Sequence, residues 1–430
     1  MRSAAILGAL LLLPSCAVIV CSEDLPAGVL QTARVMHANR DLLKSLPLYT
    51  CLETISRSSA QNQRRKPKRA DVVQVDVGVG ANQEMYSWPG ESTFSPQDLA
   101  ALVGHGFLST GLFESLAANL FVLGHGIVKP AAEERLNGTP ALHFTYTVPS
   151  LESRSLINWD GQQGLLGEEG DFWVDKTSHL LLRLNIRASA IPPNVPLKTL
   201  NSSIDYQFLT LNGRPTLLPK EARVIAVESN GALLEDDEAF SHCHMFEAES
   251  RLAASVENLE KALTRYESQR GILPAGLTLR ISLQTSVRAD RARIGDAVEA
   301  RLDRPLEISP DLAAPKGSLL KGHVREFSEL ADPPGTLVIG LEFDELEWPQ
   351  HAYSFLAEIS DMQQIAGLSD TIYRNSSSRW NSPAGPVSSM STELFLPPNI
   401  PGTATFFLRN NRELPAGFQM TWRTRALIHP

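Results

Sequence analysis

The stretch GDFWVDKTSHLLLRLNIRA, Gly170–Ala188, decides the fold of the larger part of this chain. Gly170–Asp175 and Leu180–Ala188 read as two strands, short and rich in apolar and aromatic side chains. Working outward, the same texture recurs at Ala141–Val148 and Arg154–Asp160 before the stretch, and at Ser203–Leu211, Pro219–Ser229 and Ala239–Leu252 after it. Asn137-Gly138, Asn212-Gly213 and Asn230-Gly231 stand between such runs, and Asn-Gly supplies the positive φ angles that a tight hairpin turn demands. Strands at this spacing predict an antiparallel sheet built from hairpins.

Upstream, Val29–Leu46 carries an apolar stripe at helical spacing and stops at Pro47. Leu48–Arg57, Asp71–Val79 and Gln83–Trp88 read as strands, the first two separated by the basic run Arg64-Arg65-Lys66-Pro67-Lys68-Arg69, taken as a solvated hairpin loop. Ser95-Pro96-Gln97-Asp98 has the cap serine, first-turn proline and early acid that open a helix, here running through Val103. A second short helix, about Leu112–Leu120, lies between two Gly-His-Gly triplets centred on His105 and His125, whose glycines punctuate helix ends. Downstream, Ser255–Arg270 is a charged helical stripe closed by Gly271, and strand patterns then return to the end of the chain, interrupted by a Ser-, Asn-, Pro- and Gly-rich insertion at 373–390. Leu-Pro-Ala-Gly occurs at Leu25, Leu273 and Leu414; the last two each precede a strand, so they are candidates for the first and last strands of one barrel lying side by side.

A length of 430 residues gives room for two or three domains of roughly 150 residues. The reading is 1–22 as a signal peptide, 23–252 as a helix plus antiparallel sheet, 253–271 as a linker helix and 272–430 as a β-domain. Arg2 followed by the apolar run Ala4–Val20 and then Glu23-Asp24 is the profile of an export signal. Pro14 interrupts that run, and a spanning helix needs about 20 apolar residues, so cleavage is expected over a permanent span. Two processing sites compete: ordinary cleavage near Ser22, or lipidation at Cys16 in Leu13-Pro14-Ser15-Cys16, which resembles the bacterial lipobox. The expected location is therefore the periplasm or the outer membrane, with Cys16 as the anchor if it is acylated.

In either case Cys51 and Cys243 remain in the folded body, and an oxidising compartment favours a disulfide between them. The competing reading, His242-Cys243-His244 as half of a metal site, lacks a second cluster with ligand spacing, so no metal is expected. Residues 271–430 hold 15 basic and 18 acidic side chains, leaving 24 and 30 elsewhere, so neither part carries the excess of cations that a nucleic-acid module needs. Motifs for a nucleophile elbow, a zinc protease, a P-loop and a dinucleotide fold are absent, and no cofactor is implied. The acidic groups Glu168-Glu169 with Asp171, and Glu235-Asp236-Asp237-Glu238, sit near Gly and Asn turn signals and are expected to be solvated loops, not paired catalytic acids.

The order helix then long antiparallel sheet, with Asp171-Phe172-Trp173-Val174-Asp175 leading into Leu180-Leu181-Leu182-Arg183-Leu184 and Leu217-Leu218-Pro219-Lys220 later, resembles periplasmic lipoprotein carriers of the LolA and LolB type. That resemblance implies a curved half-barrel over about residues 27–252 whose concave face holds acyl chains. The second part is similar to the periplasmic β-domain of TrbI-type conjugation proteins, through Leu273-Pro274-Ala275-Gly276, Gly295-Asp296 and Pro315-Lys316-Gly317. Together they imply an exported bacterial envelope protein of α+β class, mostly β: a curved sheet with helices, followed by a small barrel or sandwich. Two functions follow from this reading. One is non-catalytic binding of a lipid or lipoprotein acyl chain in the half-barrel; the other is a structural or protein-interaction role with no small-molecule ligand.

Overall fold

The computed structural model describes residues 27–245, 271–368, 373–374 and 402–426, apart from 81–82, 92–93, 95–98, 114, 124–125, 160–161 and 331–334. The export segment with Cys16, the expected linker helix, His125 and nearly all of the 373–390 insertion lie outside the described residues. Two ten-stranded sheets dominate the rest, each with its own apolar core.

The first part runs α1 (Ala27–Lys44), β1 (Tyr49–Ala60), β2 (Lys68–Gly80), β3 (Gln83–Ser87), α2 (Leu99–Val103), α3 (Ser115–Phe121), β4 (Ile127–Leu136) and β5 (Thr139–Val148). A small hairpin, β6 (Leu156–Trp159) and β7 (Gln162–Leu165), follows; then come β8 (Gly167–Asp175), β9 (Leu181–Ala190), β10 (Leu197–Leu211), β11 (Arg214–Glu228) and β12 (Leu233–Met245). The sheet order is β3-β2-β1-β12-β11-β10-β9-β8-β5-β4, antiparallel throughout, and it curls into a half-barrel. The quoted stretch is the β8–β9 hairpin, with Phe172, Val174, Leu181 and Leu184 all fully buried on one face. Pro219, which cannot donate to a ladder, sits at the register shift between β10 and β11, where a missing donor is tolerated.

Helix α1 ends ahead of Pro47, because the residue before a proline is pushed out of helical φ/ψ. Val35 and Leu43 bury into the concave face. Asn39, fully buried beside them, donates to the carbonyl of His179 at 2.9 Å and accepts from Leu181 N at 2.9 Å, which pins the helix to the β8–β9 turn. The ladder closes between the first and last long strands, β1 and β12, where Cys51 and Cys243 form a disulfide across a chain separation of 192 residues. The register shifts at that point, and His242 takes up the extra residue with a left-handed φ of 52°.

The second part runs β13 (Gly271–Ile272), β14 (Thr278–Leu283), β15 (Val287–Arg288), β16 (Ala297–Leu302), β17 (Leu306–Ser309), β18 (Leu312–Ala314), β19 (Leu319–Leu330), β20 (Thr336–Trp348) and β21 (His351–Ser354). It finishes with β22 (Leu356–Met362), β23 (Tyr373–Arg374), β24 (Thr403–Arg409), β25 (Glu413–Leu414) and β26 (Gln419–Arg425). Strand β20 pairs with β24 through its first half and β21 through its second, so one strand serves two faces of a barrel-like core around Phe343, Phe418 and Trp422. The two Leu-Pro-Ala-Gly turns precede β14 and β26, which pair antiparallel. Gly276 (φ 94°) and Gly417 (φ 80°) cap opposite ends of that ladder, Gly276 N donating to Thr424 O and Gly417 N to Leu283 O.

The two sheets interlock. Ile294 exchanges hydrogen bonds with the free edge of β2, Gln74 N to Ile294 O and Ile294 N to Val72 O, both 2.8 Å, and its side chain is wholly buried in the first core. Gly295 follows with φ 97°, so close to Gln74 O and the Trp88 ring that a Cβ would stand 2.2 Å from the oxygen. Arg325 of β19 lies 4.9 Å over the Trp88 ring and donates to Leu102 O, while His323 stacks on the same indole.

Candidate functional site: the covered concave face

Alternation along β1 points Cys51, Glu53, Ile55 and Arg57 into the concave side, and alternation along β12 does the same for Asp236, Glu238 and Phe240. Four of these seven are ionisable. Glu53 and Glu238 are each 2% exposed and Asp236 1%. The acidic run Glu235–Glu238 is therefore no solvated loop: it is strand, with Glu235 paired to Arg223 outside and Asp236 and Glu238 inside. The Asn230-Gly231 turn lies nearer the start of this strand than the sequence suggested, and the extra residues of β12 carry the acids onto the sheet. Glu168 departs in the same way. It is buried in β8 and accepts hydrogen bonds from Ser153 and Ser155.

A strap, residues 104–113, crosses the acids. Left-handed glycines stand near both its ends, Gly104 and Gly106 with φ near 86° and 85°, and Gly111 with 85°. Gly106 also permits close approach, since a Cβ there would sit 2.2 Å from Arg57 Nη1. Arg57 donates to His105 O at 2.6 Å and holds Asp71 in a two-pronged ion pair at 2.6 Å per contact. Ser109 donates to Glu238, Gly111 N and Phe113 N donate to Glu84 at 2.7 and 3.1 Å, and Tyr206 donates to Leu112 O at 3.3 Å. The strap is thus tied down largely by buried or half-buried carboxylates.

Removal from water disfavours the charged carboxylate, so burial raises these acids. Glu53 is pushed up to about 8, first by burial and then by the charges of Glu84 and Asp236. Asp236 is also pushed up to about 8, by burial and then by Glu238. Glu238 lies well above the ordinary carboxylate range, from burial and from Glu53, with which it shares a hydrogen bond. Two buried carboxylates facing each other resist ionising together, and Glu238 is the member that keeps its proton to the higher pH. His105 moves the other way, down to about 4, because burial and the neighbouring Arg57 both oppose the imidazolium. A proton-sharing pair of acids is also an acid–base device, but here the pair is sealed under Ser109 and acts on the strap.

Beyond the acids the concave face is apolar and aromatic. Phe121 of α3 meets Phe172 edge to face at 5.2 Å, Phe144 stacks on Phe172 at 5.0 Å, and Phe113 meets Phe240 at 4.7 Å. The trough is therefore filled by the chain's own α2, α3 and strap, with Leu99, Val103, Phe113, Leu120 and Phe121 at 2% exposure or less.

Of the residues singled out from sequence, Cys51 and Cys243 come together, while His242 and His244 stay exposed at the end of β12. No group of three or more potential metal ligands occurs among the described residues. Asp171 joins His143 and Arg187 on the outer face of β8, lowered below its ordinary range by those two partners against the opposing effect of partial burial. Glu53, Glu84, Ser109 and Tyr206 carry no motif. The available signal was phase: Glu53 alternates with Cys51 and Ile55, and Glu238 with Phe240, so each acid stands where a core residue belongs.

No family model and no curated protein matches the chain. About half of it is similar to each of two solved structures. A LolA superfamily protein from Nitrosomonas europaea is 8% identical with a TM-score of 0.26, covering 50% of this chain and 92% of that one. A DUF1329 family protein from Desulfovibrio piger is 14% identical with a TM-score of 0.28, covering 54% and 98%. No helix among the described residues is long and apolar enough to cross a membrane.

Proposed function

We propose that this chain is an exported, non-catalytic envelope protein whose half-barrel binds an apolar chain, that of a lipid or a lipoprotein acyl group, in the trough now filled by α2, α3 and the strap. The observation that supports it is the nature of the cover. Beside α1, a curved sheet with an aromatic concave face is closed not by a second sheet but by helices of five and seven residues and a strap with glycines near both ends. Helices below about 12 residues do not hold together alone in water, so this cover is kept in place by the side chains it inserts. Withdrawing them leaves a trough lined by Phe144, Tyr146, Phe172 and Phe240, of the apolar character that acyl ligands require. The export segment Ala4–Val20, with Cys16 as a lipid anchor, places the protein in the periplasm or at the outer membrane under the same proposal, and 23–252 and 272–430 are its two domains, joined by a helix at 253–271.

The test is uptake of a fluorescent fatty acid, with native mass spectrometry of the purified protein for co-purifying lipid. Phe121→Ala removes an aromatic plug from the trough and is expected to bind the probe more tightly than the parent protein. Absence of uptake by both proteins, with no lipid in the native spectrum, refutes the carrier reading. It leaves the second reading, favoured by the filled trough: an envelope interaction protein without a small-molecule ligand.

A further inference from the structure

The basic run Arg64–Arg69 has no part in the covered trough, and the structure gives it company. Arg69 lines a cleft of about 310 Å³ between the outer face of β1–β2 and the second sheet, together with Arg291, Arg293 and Arg412. Thr54 and Ser56, which also line it, have the opposite phase from Glu53 and Ile55, so the cleft and the trough lie on opposite faces of one sheet. Three acidic residues are among those lining the cleft, and each is matched by an arginine: Asp71 with Arg57 at 2.6 Å, Asp290 with Arg288 at 3.0 Å, and Glu329 with Arg412 at 3.1 Å. Arg69, Arg291 and Arg293 are exposed and form no ion pair within 4 Å among the described residues, with Asp290 and Asp296 the acids that feel the charges of Arg291 and Arg293. Beside them the β1–β2 hairpin tip presents Arg64, Arg65 and Lys66, all exposed, with no acid between Gln61 and Arg69. A chain of net charge -9 thus concentrates at least six cations on one rim.

We propose that this cleft binds the phosphate of an anionic phospholipid headgroup, with the hairpin tip lying on the surrounding anionic surface. Guanidinium groups suit phosphate because their planar N–H forks meet its oxygens in pairs. The cleft is at the small end of ligand sites, sized for a headgroup and not a whole lipid, and Phe327 and Leu337 in its lining offer an apolar wall to the glycerol carbons. The further cations outside the cleft exceed what one free phosphate engages, whereas a leaflet presents many charges in a plane. The hairpin tip carries no aromatic residue on which bases stack, which argues against single-stranded nucleic acid. The inference does not depend on ligand uptake in the trough.

The experiment uses the full chain carrying Cys16→Ser, so that no acyl anchor contributes, in flotation with phosphatidylcholine vesicles, with or without phosphatidylglycerol. Binding is expected only to the phosphatidylglycerol vesicles, and to fall steeply with added salt. Arg291→Glu with Arg293→Glu weakens it by at least about tenfold, given roughly 1 kcal/mol per cation near an anionic surface. Arg423→Glu, an exposed charge on β26 away from the cleft, leaves it unchanged. Should the double variant fail to fold, Arg69→Glu on the hairpin serves as the second probe. Equal binding by parent and cleft variants, or none to anionic vesicles, overturns the proposal. Inorganic phosphate binding without vesicle binding replaces the lipid with a free anion, and tighter binding to a single-stranded oligonucleotide than to vesicles overturns the lipid assignment. Fatty-acid uptake by the cleft variants stays at the parent level, so the two readings fail separately.

Discussion

Replacing Glu53 by glutamine tests the account of the strap. Glu53 is protonated in the folded chain up to about pH 8, whereas its ordinary value is 4.5. A carboxyl raised on folding binds more protons folded than unfolded, so its contribution is fully present below pH 4.5 and is lost as pH rises through 8. Each pH unit within that window removes about 1.4 kcal/mol per group. From pH 6.5 to 8 the folded group is already partly ionising near the top of the range, so Glu53 alone accounts for about 1.5 kcal/mol, and Asp236, also near 8, for a similar amount. His105 and His323, both lowered to about 4, act with the opposite sign, their contribution being lost as pH falls through 6.5 toward 4; above 6.5 each retains only about 0.4 kcal/mol of opposing effect, which is the same in parent and variant. The glutamine side chain of the Glu53→Gln variant keeps an amide able to hydrogen-bond Glu238 but has nothing to ionise. Urea unfolding at pH 6.5 and 8, followed by tryptophan fluorescence, is expected to show the parent protein losing stability across the range. Glu53→Gln should lose about 1.5 kcal/mol less. A parent protein as stable at pH 8 as at pH 6.5, or a variant with the parent's slope, refutes the reasoning, because the acids would then be ionised and solvated in the fold.

Reduction of the Cys51–Cys243 disulfide reopens a loop of 192 residues, and the loop-entropy account gives a loss of up to about 5 kcal/mol; a thermal melt with and without reductant, beside a thiol count that rises by two among these residues on reduction, checks it. Ile294→Ala empties a fully buried position in the first core and is expected to lower stability by about 2–4 kcal/mol while leaving the second core intact. Limited proteolysis should then release the second sheet as a resistant fragment, and a variant as protease-resistant as the parent contradicts the interlock. Asn39→Ala removes both ties between α1 and the β8–β9 turn and leaves Leu181 N without its partner, a loss of about 1–3 kcal/mol seen in the melting temperature.

The strands of the first sheet were legible because they obey local rules. Period-two alternation and the Asn-Gly turns Asn137-Gly138 and Asn212-Gly213 mark hairpins whose partners are sequence neighbours, and the same logic placed β14 beside β26 through their matching Pro-Ala-Gly turns. The disulfide was legible because only two cysteines remained in the body. The buried acids were not legible, for a physical reason. Glu235–Glu238 looks solvated by composition, since an isolated carboxylate does not enter a core, and burial of Glu238 is made tolerable by its retained proton and by hydrogen bonds to Glu53 and from Ser109, partners distant in the chain.

The class of fold, the hairpin-linked strands of the first sheet, the pairing of Cys51 with Cys243 and the absence of any global excess of positive charge are legible in the chain alone. Those properties depend on period, turn chemistry and composition, which are written locally. The tertiary structure alone decided which side chains separated by more than a hundred residues share one space: Glu53 with Glu238 beneath Ser109, Ile294 in the core of the other sheet, and Arg69 with Arg291 and Arg293 around one cleft. Each of these depends on how a curved sheet brings its first and last strands together and where the second sheet docks, and no local pattern encodes that distance.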